Sequence, residues 1–211
     1  VEVIADFIHK KTGMSFDPLA KNAISDAEIM RELDWITHHF KILTKKEIKS
    51  KITPMSFWDM AVKIKNETGL HTASIDSWKD MNHPYDQYGG YAQYLEYALP
   101  YRNMIAEENN LHLNTVIHPK LTEKEKGKRV APTPYDMKGG SEWFNSGKCM
   151  ITVHREDLND NRVEINFNKI KPRSAGSIGK IEKRFDIEKF RYYDLEVVEA
   201  NKHLKHFAQP K

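Results

Sequence analysis

Apolar residues recur along this chain at helical spacing first and at strand spacing later. Val1, Ile4, Ala5 and Ile8 fall on one face of a 3.6-residue period. That predicts a helix over 1–11, stopped by Gly13. Ser25 with Glu28 three residues on forms a capping box, and the apolar face that follows (Ile29, Leu33, Ile36) carries the helix to about His39. Phe40 to Leu43 reads as a short strand. Ser56 with Asp59 reads as a second box opening a helix from Phe57 to Thr68, with Gly69 as its C-cap.

The segment LHTASIDSW then reads as a strand running into Asp76. A long helix is predicted over Tyr88 to Asn109, with Ala92, Leu95, Leu99, Ile105 and Ala106 toward the core. Pro100 inside it predicts a kink or break near Leu99. LHLNTVIHP is the next strand. A polar stretch (Lys120 to Arg129) and a loop marked by Pro132 and Pro134 follow, then a short helix over Ser141 to Asn145. CMITVHR, VEINFNKIK and IGKIEKRFD alternate with period two, and Asn159, Asp160 and Asn161 supply a turn between the first two. Helices alternating with strands, then strands alone, predict an α/β fold. Its mainly parallel sheet would be flanked by helices and extended by C-terminal antiparallel strands. Residues 1–195 form the expected folded part, and the polar run 196–211 a tail.

Composition narrows the function classes. The 211 residues suit one domain or a tight pair, and 39% hydrophobic content suffices for a core. Charged residues make up 30%, yet the net charge is only +3, so a simple basic DNA-binding module is excluded. Any DNA contact must come from local clusters. Cys149 is the single cysteine, which rules out an internal disulfide and a cysteine-rich zinc site and points to a reducing, cytoplasmic setting. Its place in a strand makes it a core residue. No apolar run approaches the ~20 residues of a membrane span, and no signal-peptide pattern occurs.

The candidate chemistry lies where strands end. In open α/β sheets, ligands bind at the carboxyl ends of the strands, and Asp76 and His118 close two of them. An aspartate there can hold magnesium and its water beside a nucleotide phosphate, and a neighbouring polar group can contact the terminal phosphate. Taken alone, an aspartate there is more often a turn or helix cap, and a strand-end histidine usually just a polar terminus. His38–His39, and His203 with His206 and Glu199, lack cysteine partners or a third fixed ligand and read as surface histidines rather than zinc ligands. The tyrosines at 85, 88, 91, 94, 97 and 101 could stack on bases, but such a stripe more commonly packs a helix with its hydroxyls at the rim.

Taken as an ordered set, IDSWKDMNHP, NTVIHPK, TPYDMKGGSEWFNSGKCMITVHRE and KIKPRSAGSIG resemble the RecA-like ATPase domain of DnaB-family replicative helicases, in particular phage-type and Twinkle-like primase–helicases. The resemblance covers Thr53 to Tyr193. It implies a ring-shaped, hexameric, ATP- and Mg2+-dependent DNA helicase that encircles single-stranded DNA, in a bacterial cell or encoded by a phage. By position, Asp76 matches the Walker B aspartate that serves magnesium and nucleotide, with Ser77 after it. His118 matches the sensor of the γ-phosphate. Residues 82–90 match the first DNA-binding loop. Pro134 to Lys148 match the second, with Lys138, Gly139, Gly140, Ser141 and Lys148 as its DNA contacts. Arg155 matches the arginine closing the following strand. Lys169, Lys171 and Arg173 belong to the segment that reaches the neighbouring subunit's ATP. Lys169 and Lys171, two apart on a strand, would share a face, and the Gly139–Gly140–Ser141 loop would let backbone amides approach phosphate closely.

Two departures bear on activity. No G-x-x-x-x-G-K-[ST] phosphate loop occurs in the 211 residues; in the family it precedes the helix that opens this chain. The N-terminal phosphate-loop unit is therefore missing, and the isolated chain is expected to hydrolyse ATP poorly or not at all. Lys171 stands where relatives often carry arginine, and Arg173 could substitute; a lysine offers a point charge rather than a planar fork. Two other readings stay open: a non-catalytic nucleic-acid-binding or assembly module that kept the fold but lost the phosphate loop and, ranked last because Asp80 is the one acidic neighbour in the motif, a metal nuclease using Asp76 with another carboxylate.

Overall fold

The structure, a computed structural model, describes residues 2–43, 52–119, 124–125, 128–157 and 159–195. Its elements in chain order are α1 (Glu2–Thr12), α2 (Asp26–His39), α3 (Pro54–Thr68), β1 (Thr72–Ile75), α4 (Tyr91–Glu108), β2 (His112–Thr115), β3 (Lys124–Glu125), β4 (Lys128–Arg129), α5 (Gly140–Ser146), β5 (Cys149–His154), β6 (Arg162–Ile170), β7 (Gly179–Asp186) and β8 (Arg191–Asp194). The class is mixed α/β. Among the described residues the parallel sheet has two strands, β1-β2. The larger sheet, in the order β5-β6-β7-β8, is antiparallel, and β3 pairs with β4. This corrects the expectation of a mainly parallel sheet. The tail at 196–211, with His203 and His206, and most of the polar stretch 120–127 lie outside the described residues.

The chain divides into two compact units. One holds Val1–Thr44, Arg155–Glu164 and Ile181–Lys211; the other holds Lys45–His154 and Ile165–Lys180. In the first, the Ser25 capping box forms as the sequence predicts: the Ser25 side chain accepts from the Glu28 N–H while Glu28 reaches back. Ile8 and Ile36 are fully buried, each contributing about 1.5–3 kcal/mol by leaving water. Beside them Lys11 pairs with buried Glu32 at 2.6 Å and lies over the Trp35 ring. Arg191 of β8 donates to the carbonyls of Lys10 and Lys11 at 2.6 and 2.5 Å, so a guanidinium caps the C-terminus of α1. Phe40 to Leu43 is not a strand; Phe40 ends α2, its N–H bonded to the Ile36 carbonyl.

In the second unit α3 starts three residues earlier than expected. Thr53, not Ser56, is the N-cap, with Ser56 in the reciprocal position and Pro54 in the first turn. Proline suits that place, where its missing N–H is not needed. Asp59 instead accepts a hydrogen bond from the Tyr101 hydroxyl. Gly69 takes the left-handed C-cap, φ 75°. The core gathers Trp58, Ile75, Trp78, Tyr94, Leu95, Ala98, Leu99, Ile105 and Trp143. Four of these lie within six residues of α4, Tyr94 to Leu99, and Ile105 follows beyond Pro100. The helix consequently runs unbroken through that exposed proline. Burial at about 2 kcal/mol per large apolar side chain on both sides outweighs the proline's cost of about 3 kcal/mol. Ala92 faces solvent and Ala106 is only half-buried, in contrast to the expected core positions.

Candidate functional site

The parallel pair places the two strand-end residues. β1 and β2 run side by side in the register Thr72↔His112 to Ile75↔Thr115. Ala73 and Ile75 point into the core, so alternation turns Thr72, Ser74 and Asp76 outward. Beyond the last pair, the Val116 N–H donates to the Ile75 carbonyl, and the Trp78 N–H to the Val116 carbonyl, both at 2.9 Å. Asp76 and His118 therefore both follow the carboxyl ends of adjacent parallel strands, and both are exposed. The Asp76–Ser77 peptide is cis. Ser77 is buried, and its hydroxyl donates to Asp80 Oδ2 at 2.6 Å. That hydroxyl is already committed within its own turn, and so is one Asp80 oxygen.

A lone exposed aspartate fits magnesium only in the manner in which that ion is usually held: one or two carboxylates, water and the phosphates of a nucleotide. Among the described residues no group of three or more His, Cys, Asp or Glu is placed to hold a metal unaided. Asp76 fits the carboxylate part of such a set. His39 is stacked on Trp35 and bonded to the Trp35 carbonyl, as a surface histidine would be.

Residues 82–90 are fixed by rings. His83 Nε2 donates to the Trp78 carbonyl at 2.7 Å, and the imidazole stacks on Tyr85 and lies against Trp78 and Tyr94. Burial pulls the His83 pKa down, only partly opposed by its backbone bond. Burial also raises the Tyr85 phenol to about 12, and the hydrogen bond to Asp59 raises Tyr101 to about 12. Tyr94 is fully buried, Tyr85, Tyr88, Tyr91 and Tyr101 pack on the core, and Tyr97 is half exposed. The stripe is mainly packing.

The second segment differs from the expectation of a flexible glycine loop. Gly139 is the left-handed N-cap of α5, φ 70°, and Gly140 and Ser141 are the first residues of that helix. A Cβ on Gly139 would meet Leu95 Cδ1 at 2.4 Å, and one on Gly140 would meet the Tyr135 backbone at 2.6 Å. Both glycines are there because the backbone is packed, which leaves little room for the looseness the sequence suggests. Lys138 is exposed, its ammonium 4.3 Å from the centre of the Tyr91 ring, whose hydroxyl donates to the Lys138 carbonyl. Ser141 donates to Glu142. Lys148 is exposed and pairs with exposed Glu107 at 3.1 Å, a contact of little energetic weight. Cys149 is exposed, not core.

Lys169 and Lys171 do not share a strand face. β6 ends at Ile170, a cis Lys171–Pro172 bond follows, and Lys171 and Arg173 are exposed. Lys169 is buried, 7% exposed. Its ammonium donates to the carbonyls of Phe144 and of Asn145, the latter at 3.2 Å. This buried place corrects the expectation that Lys169 reaches across a subunit interface, and its position in the strand already carries the signal. Val163, Ile165, Phe167 and Lys169 fall on one side of β6 by alternation, which places the lysine on the apolar face. Arg155 donates to the Asp160 carbonyl at 2.7 Å and to Asn161, bracing the connection between β5 and β6. The chain matches no protein-family model and no curated protein.

Proposed function

We propose that this chain is the C-terminal part of the RecA-like motor domain of a DnaB/Twinkle-type ring helicase, acting on single-stranded DNA with ATP and magnesium. One observation carries the reading: Asp76 and His118 follow the carboxyl ends of two hydrogen-bonded parallel strands, where phosphate chemistry is done in open α/β sheets. Asp76 would hold the magnesium and its water. His118 would face the γ-phosphate, and exposed Lys171 and Arg173 would supply positive charge to a neighbouring subunit's nucleotide. Lys138 and Lys148 would neutralise DNA phosphates, on a chain whose net charge of +3 gives no general attraction. In the described residues no helix is long and apolar enough to cross a membrane.

A second reading is a DNA-binding or assembly module without turnover. Phosphate release separates the two. The isolated chain should release none. The polypeptide extended by its encoded upstream residues should show DNA-stimulated turnover that falls roughly 100-fold in Asp76→Asn, the scale for losing one electrostatic contact to the transition state. Turnover that survives Asp76→Asn would reject the motor assignment, and DNA binding without any turnover would select the second reading.

A further inference from the structure

The contacts of Lys169 have no role in the reading above. A buried ammonium must find partners that replace its lost hydration. Its hydrogen-bond acceptors are the Phe144 and Asn145 carbonyls in the last turn of α5, and its ammonium lies 4.8 Å from the centre of the Phe144 ring. Free carbonyls at a helix C-terminus are natural acceptors for a cation. A second tie lies alongside, where the Lys171 N–H donates to the Lys148 carbonyl at 2.8 Å. At its other end α5 is held by the close approach of Gly140 to Tyr135. The end of the 134–148 segment and the start of the 171–176 segment are thus bolted together, side chain to backbone and backbone to backbone.

We infer that Lys169 is a positioning residue that makes the 134–148 segment and the Lys171–Arg173 segment move as one piece. This rests on the proposed DNA-binding role and adds to it a route for regulation. Burial, and after it the like charge of Lys171 and Lys148, holds the Lys169 pKa below the usual lysine value. A DNA phosphate at Lys148 would relieve that repulsion and tighten the clamp. By reciprocity, whatever fixes Lys171 and Arg173 would then favour the DNA-bound loop.

Hydrogen exchange of the 211-residue chain, with and without a fluorescein-labelled oligothymidylate, tests this. In the wild type, DNA should slow exchange in both 140–148 and 171–176. Lys169→Met should confine protection to 140–148 and weaken binding about three- to tenfold by anisotropy, the range for loss of a coupling contact. Lys169→Arg, which keeps the cation, should restore both. Circular dichroism establishes that each variant is folded. Equal protection of both segments in folded Lys169→Met overturns the inference and leaves the DNA-binding reading standing. Should the methionine variant not fold, the wild type decides, since protection confined to 140–148 there overturns it too. A wild-type chain that does not bind the oligonucleotide sinks the functional reading itself, and the inference with it.

Discussion

The two segments that the resemblance assigns to DNA are held by different physics. Residues 82–90 are fixed by ring contacts: His83 against Trp78 and Tyr85, and Tyr85 and Tyr88 edge-on to Tyr94. Residues 134–148 are fixed by excluded volume and carbonyl contacts, at Gly139, Gly140 and the Lys169 ammonium. The apolar burial that drives ring packing is non-directional, so it tolerates small shifts of geometry. A backbone lying 2.6 Å from where a Cβ would sit tolerates none. The first segment is therefore sensitive to loss of volume, and the second to its gain.

The largest effect is expected at Trp78, which anchors the first segment at 3% exposure and meets Trp143 edge-on. Trp78→Ala should cost about 3–5 kcal/mol by cavity formation, measured by urea denaturation. A loss under about 1 kcal/mol, the level of an ordinary surface change, would show that the rings do not hold the segment.

Adding volume gives the next effect. Gly140→Ala should cost about 1–3 kcal/mol through overpacking against the Tyr135 and Pro134 backbone. Gly89→Ala, in the first segment, meets only Gln93 at 4.0 Å and pays about 1 kcal/mol for its left-handed φ of 80°. Equal costs at the two glycines, read from thermal melts, would erase the distinction.

The smallest effect is the pH response of the ring cluster. Burial lowers the folded-state pKa of His83 below its ordinary 6.5, so the fold favours the neutral imidazole. That stability is fully present above the unfolded-state pKa and is lost as pH falls through the lower, folded-state value. The melting temperature of the wild type should fall more steeply than that of His83→Phe between about pH 7 and 5. Parallel profiles would show that His83 titrates freely.

Local signals were legible where a few neighbouring residues decide the outcome. The Ser25–Glu28 box and the Gly69 cap formed at the residues that predict them, because caps are made within one turn. The α3 start was misplaced because Ser56–Asp59 and Thr53–Ser56 have the same spacing, and Pro54 was the arbiter. The Pro100 break failed for a tertiary reason, since Leu95, Leu99 and Ile105 bury on either side of it. β8 is short and polar, and only its pairing with β7 makes it a strand. In the site, the apolar runs ending at Asp76 and His118 mark two strand ends, and the pairing of those strands is a tertiary fact that only the structure supplies. The packed glycines and buried Lys169 were not, because a glycine in a sequence records only a missing side chain, and a lysine does not announce which carbonyls it will meet.

Cys149 opens β5 one residue after Lys148, faces solvent and is the single thiol of the chain. A maleimide dye or nitroxide would therefore attach at one defined point, just past the turn that joins α5 to β5, with no engineering of the polypeptide. Spectroscopy on the natural sequence could then follow that corner of the molecule in real time as ligands arrive.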